Sequence, residues 1–281
     1  MALSGDIKAI WIATVPRTGS MWTFNVIRDL VRSTGAAVRP ELVPHDDAEM
    51  EAIGRTGIAA DDGVYVLKVH THIPADLPHS LYVVTHRDLR DSLISFMRFA
   101  HRDFDAGLRF VAGAIRSEQH FSTFPTARRL DLDYAAIVAE PAAVAATLAA
   151  RLAISAPPEL IAEIVARYSK TRVRDRIVSR EQALRDRIAA HQPVDRRDFV
   201  PQEDRSLRAF DTATGFQSGH VSDYRDGDWR TMLTADQQAR LEALIAEGEA
   251  WRAAQGGGNS ARERPPSPGL LRNPTSPPRQ R

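Results

Sequence analysis

Cysteine is absent from the 281 residues. That excludes a disulfide framework and a thiolate-ligated metal site, and the chain needs no oxidising compartment. Lysine is almost absent: Lys8, Lys68 and Lys170 are the only three, so arginine carries nearly all the positive charge. There is no run of about 18 apolar residues, and so no membrane span is expected. Met1 to Lys8 lead almost directly into a first apolar strand, so no signal peptide is expected. A soluble cytoplasmic protein is the expectation. A strong charge of one sign is also missing, since the formal net charge is +1. Arg262 to Arg281 hold five arginines and one glutamate (+4), which leaves −3 for residues 1–261. A body of that sign is not a general polyanion binder, and nucleic acid is not expected as a partner.

What is present is a large hydrophobic share, 43% of residues, enough for one sizeable core. Apolar strand-like runs occur at 9–15, 64–69 and 80–85. The first and third run into helical patterns, at 22–34 and 89–101. Near-continuous apolar strands alternating with helices predict an α/β fold, a parallel sheet covered on both faces. Residues 35–63 read as mixed and 102–132 as irregular and aromatic. Helices are expected at 141–152, 158–169, 175–190 and 235–252, the last capped by Thr234, with loops over 191–228. Residues 1–252 are expected to form a single domain. Six prolines between Pro265 and Pro278 make 253–281 a disordered Pro/Gly/Arg-rich tail.

The first strand ends in Pro16-Arg17-Thr18-Gly19-Ser20-Met21-Trp22-Thr23. Strand, tight turn and helix start together make an anion site, because backbone N–H groups and the positive end of the helix dipole converge there. The turn is Walker-like in shape but lacks the Gly-Lys-Ser/Thr ending of an ATP-binding P-loop. Arg17 supplies fixed charge, and Thr18 and Ser20 supply hydroxyl donors. The plainer alternative is an ordinary strand-to-helix loop with a surface arginine.

Two further segments end predicted parallel strands, where ligands of open α/β sheets bind. In Lys68-Val69-His70-Thr71-His72-Ile73-Pro74, period-two alternation turns Lys68, His70 and His72 to one face. The lysine depresses the histidine pKa by like-charge repulsion and keeps a neutral base available. The alternative is a pair of solvated loop histidines. In Arg87-Asp88-Leu89-Arg90-Asp91-Ser92-Leu93-Ile94-Ser95, Asp88 caps the following helix and Arg87 is a second anion clamp. The plainer alternative is a helix-terminal arginine in a surface ion pair, and Arg90 and Asp91 are read that way.

At these residues the chain resembles the PAPS-dependent sulfotransferases (P-loop sulfotransferases). Pro16–Trp22 is similar to the family's Pro-Lys-Ser-Gly-Thr-Thr-Trp. Lys68–Pro74 is similar to Lys-Thr-His-Leu-Pro with two extra residues, and Arg87–Ser95 matches Arg-Asn-Pro-Lys-Asp-Val-Ala-Val-Ser in its Arg, Asp and Ser. Tyr134 echoes a Tyr-Glu-Asp segment, and Gly227-Asp228-Trp229-Arg230 echoes Gly-Asp-Trp-Lys. The resemblance covers residues 8–250. It implies a three-layer P-loop-type parallel sheet flanked by helices. The implied activity is transfer of a sulfuryl group from PAPS (3′-phosphoadenosine 5′-phosphosulfate) to a hydroxyl or amine of a small-molecule acceptor.

The family roles fall on matching positions. Arg17, in place of a catalytic lysine, and the loop Arg17 to Trp22 take the 5′-phosphosulfate. Arg87 and Ser95 take the 3′-phosphate, Trp22 and Tyr134 contact adenine, His70 is the base, and Lys68 assists at the sulfuryl group. No metal is needed, because arginine supplies the charge. The family's Arg-Lys-Gly before the C-terminal tryptophan is unmatched, with Gly219-His220 or Arg225 as candidates, and His72 rivals His70. The Phe-rich 102–124 region and the 191–228 loops are expected to shape an acceptor pocket. An ATP-dependent kinase-like enzyme and a non-catalytic nucleotide-binding module remain as alternatives.

Overall fold

The computed structural model describes residues 7–58, 62–202 and 206–256. In chain order these form β1 (Ala9–Ala13), α1 (Ser20–Arg32), β2 (Val38–Arg39), α2 (Asp47–Gly57), β3 (Val64–Val69), β4 (Ser80–His86), α3 (Leu89–Ala100) and α4 (Phe104–Phe121). There follow β5 (Arg129–Asp133), α5 (Tyr134–Ala139), α6 (Pro141–Arg151), α7 (Pro158–Arg167), α8 (Lys170–Ala189), β6 (Phe199–Pro201), β7 (Leu207–Ala209), α9 (Trp229–Met232) and α10 (Ala235–Gly256). Among the described residues no helix is long and apolar enough to cross a membrane.

Five strands make one sheet in the order β2-β3-β1-β4-β5, every pairing parallel. Helices flank it, as the apolar runs predicted. β1 lies in the middle, and all five of its residues are buried. The connection leaving β1 runs to β2 on one side of the sheet, and the connection leaving the adjacent β4 runs to β5 on the other. Such a reversal opens a crevice beyond the carboxyl ends of the two strands. Arg17 follows β1 and Arg87 follows β4, so both stand at that crevice. Lys68 and His70 stand beside it, at the end of β3.

Packing around the sheet is tight. Trp11 is fully buried, with its indole N–H donated to Ser80 Oγ at 3.1 Å. α2 covers β3, and its Gly54 lies directly over this layer: a Cβ there would come within 2.4 Å of both Leu67 and Trp11. Gly54→Ala gains about 1 kcal/mol of helix propensity, but overpacking a filled core costs about 1–3 kcal/mol. The net expectation is a Tm lowered by a few degrees, measurable by circular dichroism, and a raised Tm would show that the Trp11 layer yields.

The structure corrects several expectations. Residues 102–132 are not irregular: 104–121 form the helix α4, whose Asp103 cap accepts from Ala106 N at 2.8 Å. Phe104, Phe121 and Phe124 are core residues. The mixed stretch 35–63 contains β2 and α2, and the 191–228 loops contain the antiparallel pair β6–β7. Thr234 caps α10 reciprocally with Gln237, through Gln237 N to Thr234 Oγ1 at 3.3 Å and Thr234 N to Gln237 Oε1 at 3.0 Å. That helix continues to Gly256, past the expected end at 252, and the tail from 257 onward lies outside the described residues.

Candidate active site

α1 starts at Ser20, inside the loop, two residues earlier than the apolar period indicated. Its N-cap is Gly19 at φ 93°, a left-handed conformation that glycine adopts without strain. A Cβ at Gly19 would also come 3.1 Å from Tyr134 and Ile137, so the Tyr134 ring packs directly on the loop. No side chain caps this helix and its first turn holds no acid. The leading N–H groups are therefore left for an anion.

Arg17, at φ 72°, crosses the mouth of the loop. Its Nε donates to Ser95 Oγ at 3.0 Å and a terminal nitrogen donates to the His220 carbonyl at 3.2 Å, while its guanidinium lies 4.4 Å from the Phe99 ring centroid. Among the described residues no carboxylate pairs with it. Burial, with the like charges of Arg87 and Arg208 and against the pull of Tyr134, lowers its pKa to about 10. Arg87 pins the loop from the other side by donating to the Arg17 carbonyl at 3.0 Å. It stacks 4.1 Å from the Tyr134 ring centroid and pairs with Asp226.

His70 donates from Nδ1 to the Thr14 carbonyl at 2.7 Å, which leaves Nε2 as the acceptor, 3.1 Å from Lys68 Nζ. Burial and then Lys68 push its pKa down to about 4, with Asp47 opposing. Like-charge repulsion alone therefore understated the shift, because the ring is also desolvated. Asp47, in the first turn of α2, accepts from His70 N at 2.6 Å and lies 3.7 Å from Lys68 Nζ. Burial works against its ionisation, but Lys68 and His70 outweigh that and hold it below the usual carboxylate range. The sequence does show a helix start at Asp46-Asp47. That this start meets Lys68 and His70 is a tertiary fact.

These groups line one cavity of about 710 Å³, within the usual range for small-molecule sites. Arg17, Gly19, Ser20, Met21, Trp22, Lys68, His70, Arg87, Ser95 and Tyr134 all face it. Thr18 does not. Its hydroxyl is buried and donates to the Val15 carbonyl at 2.7 Å, within 2.7 Å of Thr14 Oγ1 and 2.6 Å of Thr85 Oγ1. The hydroxyl role expected of Thr18 is thereby corrected: it ties the loop to β4, since a three-hydroxyl cluster under the turn has no solvent to bond.

His72 also departs from expectation. β3 ends at Val69, the alternation lapses, and the exposed His72 stacks on His120 at 4.5 Å, outside the cavity. Arg225 is exposed and does not line the cavity, whereas His220 does. Asp91 is no surface acid. It is buried and accepts from the Tyr224 hydroxyl at 2.6 Å and Gly227 N at 2.8 Å. Arg90 does form a surface pair, with Glu242. The apolar wall comes from Phe96 and Phe99 of α3 and from Phe210, Phe216 and Val221 of the late loops. The Phe-rich 102–124 stretch contributes nothing to it directly; its Phe110 stacks behind Phe96 at 4.3 Å.

No protein-family model matches the chain, and neither does any curated protein. Solved structures match in fold. Mouse sulfotransferase SULT7A1 complexed with PAP aligns over 92% of this chain and 91% of its own, with TM-score 0.56 and 14% identity. Retinol dehydratase in complex with androsterone and inactive cofactor PAP aligns over 86% and 80%, with TM-score 0.54 and 12% identity. The retinol and PAP complex of retinol dehydratase gives 86%, 81%, 0.53 and 13%. The parallel five-stranded sheet and its flanking helices are thus the sulfotransferase fold.

Proposed function

We propose that the chain is a PAPS-dependent sulfotransferase acting on a hydroxyl or amine of a small-molecule acceptor. The observation that carries this reading is Arg17: a guanidinium with no carboxylate partner among the described residues, at a helix start with no side-chain cap, in one cavity with a neutral histidine. The PAP complexes of the fold neighbours support the same donor.

In this reading the loop amides and Arg17 hold the 5′-phosphosulfate, Arg87 and Ser95 the 3′-phosphate, and Trp22 and Tyr134 the adenine. The acceptor oxygen or nitrogen attacks sulfur in line, and the bond from sulfur to the phosphate oxygen breaks. The acceptor proton passes to His70 Nε2, and Lys68 turns from that nitrogen to the sulfuryl oxygens. Sulfuryl transfer resembles phosphoryl transfer, where a loose transition state makes positioning and positive charge the main contributions. Arg17 meets the charge that grows on the departing phosphate. Phe96, Phe99, Phe210 and Phe216 give the acceptor an apolar wall.

Calorimetry with PAP and with Mg-ATP tests the donor. PAP should bind the wild-type chain, and Arg87→Ala should weaken it roughly 10–100-fold, the cost of one or two charged hydrogen bonds. Mg-ATP binding in preference to PAP would favour phosphotransfer instead. Transfer of labelled sulfate from PAPS to a panel of alcohols, phenols and amines tests the reaction, and PAP binding with no transfer to any acceptor would leave only a nucleotide-binding module.

A further inference from the structure

Arg87 is enclosed by its own chain. Its side chain is 6% exposed; one terminal nitrogen is bonded to the Arg17 carbonyl and the other to the Asp226 carboxylate. Tyr134 covers one face, and Nε is buried with no partner among the described residues. The Asp226 side chain is 42% exposed, but its backbone is held in place. It sits in the turn 224–228, which Asp91 grips on both sides of it through the Tyr224 hydroxyl and Gly227 N. Arg225 N closes the turn onto Asp228 Oδ2 at 3.1 Å. Asp91 lies in the first turn of α3, the helix that begins just after Arg87. The element that carries the arginine at its entry therefore also anchors the carboxylate that neutralises it. The segment 222–228 adds no compensating cation toward the cavity: it holds Asp223, Asp226 and Asp228 against one exposed arginine, Arg225.

We propose that Asp226 is a specificity-determining residue for the donor nucleotide, its carboxylate competing with the ribose 3′-phosphate for Arg87 and narrowing the preference for 3′-phosphorylated over 3′-hydroxyl nucleotides. The proposal rests on the sulfotransferase reading of the cavity. A phosphate that reaches Arg87 must displace Asp226 or lie beside it, and either way like charges meet. A ribose hydroxyl meets no such cost, because it can donate to the carboxylate. The same chemistry separates ribose hydroxyls from ribose phosphates in dinucleotide-binding sheets, with a carboxylate for the first and an arginine for the second.

Calorimetry on the full chain, with PAP and with adenosine 5′-monophosphate, tests this in wild type, Asp226→Asn and Asp226→Glu. Asparagine keeps an oxygen toward Arg87 and removes the charge. Asp226→Asn should tighten PAP about 10-fold and change adenosine 5′-monophosphate by less than about 2-fold, as expected for removing one local charge conflict. Asp226→Glu, which keeps the charge, should retain the wild-type ratio of the two affinities. An unchanged or weaker PAP affinity in Asp226→Asn, or an equal gain for both nucleotides, overturns the role of Asp226 while leaving the donor assignment intact. PAP binding to none of the three proteins overturns the donor assignment, and the role of Asp226 with it.

Discussion

His70→Ala is expected to lower kcat for sulfuryl transfer by roughly 10²–10⁴, the usual contribution of a general base, while PAP still binds. The ring is fixed for that role. Its Nδ1–H is committed to the Thr14 carbonyl, so Nε2 is the only nitrogen that can accept a proton. With its pKa near 4 the imidazole is neutral throughout the physiological range. The acid limb of kcat/KM, which reports the free enzyme, should therefore fall near pH 4 rather than 6.5. The anionic donor beside Arg17 favours the protonated ring, so the limb of kcat should lie at higher pH than that of kcat/KM. The stability linkage has the corresponding sign. The pKa in the folded chain is depressed below 6.5, so the contribution from neutral His70 is present above pH 6.5 and is lost as pH falls toward 4. An active His70→Ala together with a dead His72→Ala would refute the assignment.

Arg17→Ala is expected to move activity and stability in opposite directions. Losing one preorganised donor at a developing charge costs roughly 3–4 kcal/mol, or about 10²–10³ in kcat. The folded chain, however, is relieved of a desolvated cation that no carboxylate among the described residues pairs and that Arg87 and Arg208 repel. Its bonds to Ser95 and the His220 carbonyl go to uncharged acceptors, and they offset burial of a charge only in part. A gain of roughly 1 kcal/mol would raise Tm by about 2–4 °C. Functional sites commonly hold charge at the expense of stability. A variant that loses both activity and several degrees of Tm would mean that Arg17 is structural mortar rather than an anion ligand.

The residues around the cavity differ in how legible they were. Arg17, Gly19, Trp22 and Arg87 follow from local patterns: a strand that stops, a tight turn, a helix that starts. Those patterns involve neighbours in sequence, and the physics that makes an anion site of them is local as well. His70 was legible as a strand-end histidine, but its rival His72 was separated only by the end of β3 at Val69. Asp47, Asp91 and Asp226 were not legible as site residues, because each acts on a partner far away in the chain. A carboxylate has the same composition and hydropathy whether it caps a helix, faces solvent or neutralises a buried arginine. The aromatic stretch 102–124 misled for a related reason. Aromatic residues mark buried surface, and α4 buries its phenylalanines in the core behind α3 rather than in the cavity.

Taken alone, the order of residues determined the α/β architecture, the strand–turn–helix anion loop and the cationic residues at the strand ends, since period and turn chemistry are short-range. Only the tertiary structure decided that Thr18 faces inward, that Lys68 and Asp47 clasp His70, and that Asp226 rather than solvent meets Arg87. Those outcomes depend on which strand ends are neighbours in the sheet. That order, β2-β3-β1-β4-β5, arises from the global burial of apolar faces, which no local window of sequence contains.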